Sequence, residues 1–424
     1  MYHIKQNSKR KHERVLEFNE EPQKVQVNQR RGGIGKKEQR QPKDDIQGVD
    51  WQHFQVNNRL ELRSTTDNQA VRYSRWPHPK LMKSSLVEEN FHGKCKKFYP
   101  LKSIENYHLQ LHHNFKAISP RDFVYPTLAG IELFNTENMR ITSVPGKPKT
   151  TCIDYFEGIL GIIHSDNYLA IYDLAKSGLK KPIFEIELNE RLSNHLQLYK
   201  DFRGSLRCIV CGNSANVVIY DLESLSPEPL KVIQVGHFTN HLTVDPESRK
   251  LVLGYDHSDV DVYDLNSGNL INKFLGHKDF TFGTDWHKNG YFFATGNQDL
   301  STMIWDLRSS RGSVELLPSV KHSASTVKFV NDSKYLVVGE YMSYINFYRT
   351  DNFEVKSTID YFGYLSGFDC VEQGDGAGSM SQNIGGSFGL STTGGCSLFA
   401  GIAGMYDSIS GGIFEIEIDP LLTI

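Results

Sequence analysis

Four short segments of the chain end in the same way and recur at nearly constant spacing. Each is an alternating apolar run closed by an aromatic residue and Asp: LAIYDL, VVIYDL, VDVYDL and TMIWDL. The aromatic residues are Tyr172, Tyr220, Tyr263 and Trp305, separated by 48, 43 and 42 residues. A strand ending that returns every ~40–45 residues is typical of a four-stranded sheet repeated around a ring. The repeat therefore predicts an all-β fold and argues against a helical bundle.

The same spacing extends in both directions along the chain. Phe134 lies 38 residues before the first of the four aromatic residues, and Tyr348 lies 43 residues after the last. Phe414 follows 66 residues later, but that interval contains a 22-residue stretch, 374–395, with eight Gly and four Ser. We interpret this stretch as a flexible loop inserted into the last repeat, because without it the interval is 44 residues. The sequence thus predicts a seven-bladed β-propeller over 105–420.

The first hundred residues differ from the rest of the chain in charge. They carry 21 Lys and Arg against 12 Asp and Glu, whereas the remaining residues carry 26 against 38. Residues 1–50 have few apolar side chains and no sustained periodicity, so they cannot bury enough surface to offset the entropy of ordering. We expect a disordered basic arm over 1–50 and a partly ordered segment over 51–104 that docks along the folded body.

One repeat, residues 276–306, contains side chains that can satisfy one another's hydrogen bonds away from water. It begins with Gly-His and ends with Trp-Asp, and in this it resembles the WD-repeat family. The resemblance implies a buried hydrogen-bonded tetrad of His277, Thr295, Asp299 and Trp305. Imidazole, hydroxyl, carboxylate and indole N–H are complementary donors and acceptors, so the chemistry agrees. In the preceding repeat His257 stands where the tetrad Asp would align, which predicts an incomplete network there.

A closer resemblance covers most of the chain, from NYHLQLHHNFKAISPRDFVYP at 106–126 to LFAGIAGMYDSISGGIFE at 398–415. These segments are similar to an incompletely characterised group of fungal and plant WD-repeat proteins whose final blade carries the second signature. A fungal relative in that group is linked to substrate recognition by the GID ubiquitin ligase. The resemblance therefore implies, as one expectation, a substrate receptor of a ubiquitin ligase.

Several short patterns resemble catalytic or metal-binding motifs, but none of them predicts an active site. The pentapeptide at 385–389 matches G-x-S-x-G, yet it lies in the Gly/Ser-rich stretch and no helix pattern follows it. Cys208 and Cys211 form C-x-x-C in an alternating strand, where residues three apart point to opposite faces. The adjacent pair His112 and His113 is split across a strand in the same way. We expect a protein that is not an enzyme, with no catalytic residue, cofactor, metal site or small-molecule substrate.

The fourth of the aromatic–Asp segments continues into a W-D-x-R pattern formed by Trp305, Asp306 and Arg308. This pattern resembles the segment with which WD-repeat substrate receptors dock on cullin-type ubiquitin ligases, and the resemblance implies that Arg308 is the exposed contact. The alternative is that Asp306 and Arg308 only pair at a turn, as a surface ion pair worth ~0–1 kcal/mol. Because propellers present loops from several blades on one rigid face, we expect a protein-binding scaffold in a multi-subunit complex.

Basic clusters in the first fifty residues supply a second hypothesis. They can act as a nuclear import signal, as a solubilising tail or as contacts to nucleic-acid phosphates. The alternative function is therefore a nuclear assembly factor, in ribosome biogenesis or chromatin, whose arm contacts nucleic acid. No apolar run reaches the ~18 residues of a membrane-spanning helix and no apolar leader opens the chain, so we expect a cytoplasmic or nuclear location without membrane contact. The clustered residues are Lys9, Arg10, Lys11, Arg30, Arg31, Lys36 and Lys37.

Overall fold

The computed structural model describes ten stretches of the chain, and within them the chain forms 27 β-strands and no helix. Residues 1–50, residues 51–92 of the predicted docking segment and the predicted inserted loop at 374–395 lie outside the described residues. The stretches are 93–101, 104–105, 113–144, 149–176, 179–188, 192–309, 312–353, 356–372, 396–404 and 411–418.

Five blades are four-stranded antiparallel sheets in which each strand pairs with the next one along the chain. Blade 1 contains β2 (Lys116–Ala117), β3 (Asp122–Thr127), β4 (Gly130–Asn135) and β5 (Arg140–Val144). Blade 2 contains β6 (Thr150–Phe156), β7 (Ile159–His164), β8 (Tyr168–Asp173) and β9 (Phe184–Glu187). Blade 3 contains β10 (Ser193–Lys200), β11 (Leu206–Gly212), β12 (Asn216–Asp221) and β13 (Lys231–Gln234).

Blades 4 and 5 repeat this arrangement and contain two of the aromatic–Asp segments as their third strands. Blade 4 contains β14 (Thr239–Val244), β15 (Lys250–Tyr255), β16 (Val260–Asp264) and β17 (Leu270–Phe274). Blade 5 contains β18 (Thr281–Trp286), β19 (Phe292–Asn297), β20 (Ser301–Asp306) and β21 (Glu315–Pro318). The turn between β18 and β19 ends at Gly290, whose φ of 67° is a conformation that Gly adopts without strain.

One long strand belongs to both of the last two blades. In β25 (Lys356–Glu372) the first part pairs with β24 (Met342–Arg349) and the second part with β26 (Cys396–Ala403). Gly363 and Gly367, with φ of 139° and 144°, lie where the strand passes from blade 6 to blade 7, and through it the two blades form one hydrogen-bonded seven-stranded sheet. Blade 6 is completed by β22 (Ala324–Val330) and β23 (Tyr335–Glu340), and blade 7 by β27 (Gly412–Ile418) and β1 (Gly93–Pro100).

The ring is closed by β1, which precedes the predicted propeller start at residue 105. It pairs antiparallel with β27 and supplies the outer strand of blade 7, so the two ends of the propeller sequence share one sheet. The Phe98 ring packs on Phe414 at a centroid distance of 4.7 Å, and the Tyr99 hydroxyl donates to Glu415 at 3.0 Å. This pairing covers an edge of β27 that would otherwise be free to pair with another chain.

The hydrophobic core of the described residues lies between the blades. It consists of seven clusters, and each cluster draws its side chains from two neighbouring blades, including blades 7 and 1. A single blade therefore cannot bury its apolar faces alone, and closure of the ring stabilises all of them. The prediction of an all-β, seven-bladed propeller is confirmed.

Two cysteines lie at the paired ends of the strands that flank the predicted insertion. Glu372 of β25 is the register partner of Cys396 in β26, and Cys370 forms a disulfide with Cys396 across a Cα–Cα distance of 6.8 Å. The strands on both sides of 373–395 therefore already meet at their ends. Among the described residues no helix is long and apolar enough to span a membrane.

Candidate functional site

The four predicted tetrad residues of blade 5 come together and form a continuous hydrogen-bond chain. The imidazole of His277 lies 3.0 Å from Asp299 Oδ2 through Nδ1 and 2.7 Å from Thr295 Oγ1 through Nε2. The indole N–H of Trp305 donates to Thr295 Oγ1 at 2.8 Å. With Asp299 ionised, Nδ1–H donates to the carboxylate and the Thr295 hydroxyl donates to Nε2, so every polar atom has a partner. All four side chains are buried, and we expect the tetrad to stabilise the blade.

Asp299 also organises the loop that leads into blade 5. Its carboxylate accepts the backbone N–H of Lys278 at 2.9 Å and the hydroxyl of Ser301 at 2.6 Å. Burial opposes ionisation, but the hydrogen bonds from His277, Ser301 and the Lys278 backbone hold the pKa of Asp299 below its usual range. The carboxylate is therefore ionised at neutral pH and links three segments of the blade.

The corresponding position of blade 4 has a different network. His257 stacks on Tyr255 with ring centroids 4.7 Å apart and meets His237 edge-on at 4.2 Å. The Tyr255 hydroxyl donates to Asp261 at 3.2 Å, and Lys273 Nζ lies 3.5 Å from the same carboxylate. His257 Nε2 is buried without a hydrogen-bond partner among the described residues. The imidazole at 257 thus packs against other rings and does not replace the tetrad carboxylate.

The W-D-x-R segment spans the end of β20 and the start of the turn that leads to β21. Trp305 is fully buried, and its only polar atom is used by Thr295. Asp306 holds Arg308 in a bidentate ion pair, with Nε and Nη2 each 2.9 Å from one carboxylate oxygen. The Arg308 guanidinium also lies over the rings of Tyr291 and Phe292, 4.8 and 5.4 Å from their centroids. Of the three predicted docking residues, Arg308 alone has a largely exposed side chain, at 57%.

Other exposed side chains lie at the same end of the propeller as Arg308. We call this end the Arg308 face: it is formed by the turns between the first and second and between the third and fourth strands of each blade. It carries Met139 of blade 1, Phe202 of blade 3 and Tyr291 of blade 5, with exposed fractions of 53%, 56% and 49%. Aromatic residues, Met and Arg are the residue types enriched at protein interfaces, and of the three exposed side chains Tyr291 is the one in contact with Arg308.

Polar side chains of the inner strands link successive blades around the central axis. Asp154 in β6 accepts the backbone N–H of Leu198 in β10 at 2.7 Å, and Gln197 in β10 accepts that of Val244 in β14 at 2.8 Å. Two further carboxylates accept a backbone N–H of the next blade in the same way. Asp285 accepts that of Phe329 at 2.7 Å, and Asp369 accepts that of Ala117 at 3.2 Å. Two partly buried ion pairs, Lys116 with Asp154 and Lys328 with Asp369, neutralise two of these carboxylates.

Three histidines from different blades also meet at the axis. His113 lies just before β2, His195 in β10 and His241 in β14, and their potential ligand nitrogens lie within 4.8 Å of one another. The ring centroids of His195 and His241 are 3.8 Å apart, and those of His113 and His241 are 4.0 Å apart. Burial, reinforced by the charge of Lys116, lowers the pKa of His113 to about 4 and those of the other two well below their usual range. All three imidazoles are neutral at pH 7.

The sequence predicted no metal-binding set and placed His113 in a strand, on the opposite face from His112. The structure instead puts His113 just before β2, outside any strand. A signal was present in the repeat: the tripeptide Asn-His-Leu occurs at 194–196 and again at 240–242. Asn194 and Asn240 each donate through Nδ2 to the first residue of the next inner strand, at 3.0 and 3.2 Å. These equivalent contacts put both histidines at the same height of the ring.

Of the remaining sequence motifs, one lies within the described residues. Cys208 and Cys211 are fully buried in different clusters, Cys208 between blades 2 and 3 and Cys211 between blades 3 and 4. Burial raises the pKa of the Cys208 thiol, which keeps it protonated and unreactive. The basic residues predicted to form an import signal or to contact phosphates, from Lys9 to Lys37, lie outside the described residues.

Comparison with known proteins supports the fold and leaves the family open. No protein-family model matches the chain. Protein groucho of Drosophila melanogaster, a WD-repeat protein, is 26% identical over 142 residues. The match covers 33% of this chain and 19% of that protein, so the aligned part is about a fifth of the relative's length. With its seven blades, the chain has a WD-repeat β-propeller fold, a fold that is generally non-catalytic and generally binds other proteins.

Proposed function

We propose that this protein is a non-catalytic interaction scaffold that binds a partner through its Arg308 face, and more specifically that it is an adaptor or substrate receptor of a ubiquitin ligase. The observation that carries the proposal is the geometry of Arg308. Its guanidinium is exposed, yet it is fixed by Asp306 on one side and by the Tyr291 ring beneath it.

A fixed and exposed guanidinium is well suited to recognition. Arg has five N–H donors, and Asp306 uses two of them, so donors remain for an acidic group of a partner. Because the ion pair and the ring already restrict the side chain, binding costs less rotamer entropy than it would for a free Arg. The exposed ring of Tyr291 supplies apolar area next to that charge.

A second candidate is favoured by the uneven charge of the chain. The excess of 21 basic over 12 acidic residues in the first hundred positions supports a nuclear assembly factor whose arm contacts nucleic acid while the propeller holds proteins. In that case the Arg308 turn is an ordinary surface ion pair. The two candidates differ in what should happen to the complex when nucleic acid is removed.

The experiment is affinity purification with mass spectrometry of the full-length chain from nuclease-treated lysates, with and without proteasome inhibition. Wild type is compared with Arg308→Ala and with Arg121→Ala as a matched control. Arg121 is also on the Arg308 face, is 61% exposed and pairs with Glu137, but it lies in blade 1 and far from Tyr291 around the ring.

An adaptor should recover ligase subunits after nuclease treatment, and further proteins should accumulate only under proteasome inhibition. Arg308→Ala should lose the ligase, while Arg121→Ala should retain it. Recovery of ribosome-assembly or chromatin proteins that disappear with nuclease would favour the nuclear assembly factor. Equal recovery of the ligase with both variants would place the docking surface elsewhere.

A further inference from the structure

The central histidine cluster is the feature of the structure that the interaction function leaves unexplained. His195 and His241 are 5% and 6% exposed, and His113 is partly exposed beside them. Propeller inner strands can be filled by any small or apolar side chain, so three imidazoles with ligand atoms within 4.8 Å of one another need a reason. Neutral imidazole nitrogens are the ligands that zinc and related divalent ions prefer in proteins.

The first argument for a ligand comes from the way in which His113 is held. Its Nε2 lies 2.8 Å from the backbone carbonyl oxygen of Phe282 in blade 5. A carbonyl only accepts, so Nε2 carries the proton and Nδ1 presents its lone pair. Protein ligands to metals are commonly oriented in this way, with the second ring nitrogen donating to a backbone carbonyl.

His241 also has a hydrogen-bond partner that can fix its tautomer, with one ring nitrogen protonated and the other free to bind a metal. Its Nδ1 is 2.9 Å from the Thr284 hydroxyl, that hydroxyl is 2.9 Å from the Thr243 hydroxyl, and Thr243 donates to the Thr284 carbonyl at 2.7 Å. These hydroxyl groups can accept a hydrogen bond from a protonated Nδ1 of His241. In that tautomer Nε2 carries a free lone pair. The Thr284 backbone N–H also points at Nδ1, at 3.1 Å, and favours the opposite tautomer. A metal ion would select the tautomer that the hydroxyl chain supports.

His195 supplies the second, independent observation. Its Nδ1 is buried and has no hydrogen-bond partner among the described residues. An unpaired polar atom of this kind costs ~1–3 kcal/mol. The hydrogen-bonded nitrogens of His113 and His241, Nε2 and Nδ1 respectively, bear no such cost. A cation between the three rings would give His195 the interaction that it lacks.

The positive charges that could repel a cation at the cluster are paired with carboxylates. Lys116 is a positive group that acts on all three imidazoles, but its ammonium lies 2.8 Å from Asp154 and is also attracted by Asp369. Lys328 pairs with Asp369, and Asp285 supplies a further carboxylate on the adjoining inner strand. Each of the two ammonium groups is thus held by a carboxylate, which weakens its repulsion of a bound ion.

We propose that His113, His195 and His241 form a three-histidine site for a zinc ion at the propeller axis. Tetrahedral zinc with Zn–N distances of about 2.0–2.1 Å needs its ligand nitrogens a little over 3 Å apart, a change that side-chain torsions can make from the present spacing. The fourth position would fall to water or to a side chain of a bound partner. The ion would tie the segment before blade 1 to blades 3 and 4 across the axis.

The test uses full-length protein without a polyhistidine tag, purified in chelator and exchanged into metal-free buffer. Zinc chloride is titrated by calorimetry, with magnesium chloride as the negative control, and bound metal is measured by mass spectrometry after gel filtration. The variants are His195→Gln, His241→Gln and Thr284→Val. The matched control is His287→Gln, a partly buried histidine of the β18–β19 turn.

Wild type and His287→Gln should bind about one zinc per chain and no magnesium. Thr284→Val should weaken zinc binding about 10-fold, and each ligand variant should weaken it by more than the about 100-fold upper range of outer-shell changes. Zinc binding that is unchanged in the ligand variants, or absent in wild type, would overturn the proposal.

X-ray absorption of the zinc-loaded wild type keeps the proposal testable if the variants fail to fold. A nitrogen shell with the outer scattering of imidazole rings is the expected result. A sulfur shell, which would place the ion on cysteines, or a shell of oxygen alone would contradict the site. Zinc binding should also raise the melting temperature of wild type, because the ion binds the closed ring in preference to the unfolded chain.

Discussion

The carboxylate of Asp154 accepts the backbone N–H of Leu198, a residue of the neighbouring blade, at 2.7 Å. The inner strands of two blades are thereby linked by a hydrogen bond to a charged group, which is stronger than one between neutral groups. The other oxygen of the same carboxylate lies 2.8 Å from Lys116 Nζ, in blade 1. One side chain of blade 2 therefore holds both of its neighbours.

Removal of the Asp154 carboxylate should destabilise the ring strongly. Asp154→Ala leaves a largely buried ammonium without its partner and the Leu198 N–H without an acceptor, so we expect a loss of about 3–5 kcal/mol in the free energy of unfolding. Asp154→Asn keeps an acceptor and should lose less. Urea unfolding followed by Trp fluorescence measures both. Asp351→Ala, at an exposed turn, is the control, and an equal midpoint for Asp154→Ala and this control would rule out the link.

The stability that the blade 5 tetrad contributes should depend on pH. The pKa of Asp299 is held below its usual range, so the native state binds fewer protons than the unfolded chain in the acid range. Its stabilisation is present above the unfolded pKa of ~3.9 and is lost as the pH falls through the lower native value. Asp299→Ala should cost on the order of 3 kcal/mol at pH 7 and progressively less in acid. Unfolding midpoints at neutral and acid pH measure this, and an unchanged melting temperature at pH 7 would show that the tetrad does not stabilise the blade.

Much of the fold could be predicted from local patterns. The alternating strands, the turns between them and the spacing of the aromatic–Asp segments are encoded within each repeat, so the seven blades follow from the sequence alone. The tetrad residues were named through the resemblance to WD repeats, and all four belong to one blade. Each of these features needs only residues that are close in the chain or in the same sheet.

The features that were missed depend on contacts between distant parts of the chain. Strand β1 reads as a basic segment, and its role appears only because Gly93–Pro100 pairs with Gly412–Ile418 at the other end of the propeller. The histidine cluster likewise needs the closed ring, since His113 and His241 belong to blades that are not neighbours. Alternation within a strand predicts which face a side chain occupies, but not which distant strand faces it.

The stretch inserted into blade 7 should be dispensable for folding. The register of β25 and β26 continues to the pair Glu372 and Cys396, so a two-residue turn can join the strands directly. Replacement of residues 373–395 by Asn-Gly should leave the melting temperature within a few degrees of wild type, because a long Gly-rich loop contributes little to stability. Differential scanning calorimetry and gel filtration measure the outcome. Insoluble protein would mean that the stretch is part of the folded blade.

Because β1 closes the ring, the propeller should survive a truncation that ends before β1 but not one that removes it. A chain that begins at residue 91 keeps β1, whereas a chain that begins at residue 101 loses the Phe98 contact with Phe414 and the Tyr99 hydrogen bond to Glu415. The shorter chain exposes the full edge of β27, and a free edge strand pairs with other chains. We expect the first chain to be monodisperse and the second to aggregate or melt well below it, as measured by light scattering and thermal unfolding.

Addition of a synthetic peptide GKCKKFYP should partly restore the shorter chain if strand pairing is the cause. Equal behaviour of the two chains would show that the first six blades and β25–β27 close the ring without β1.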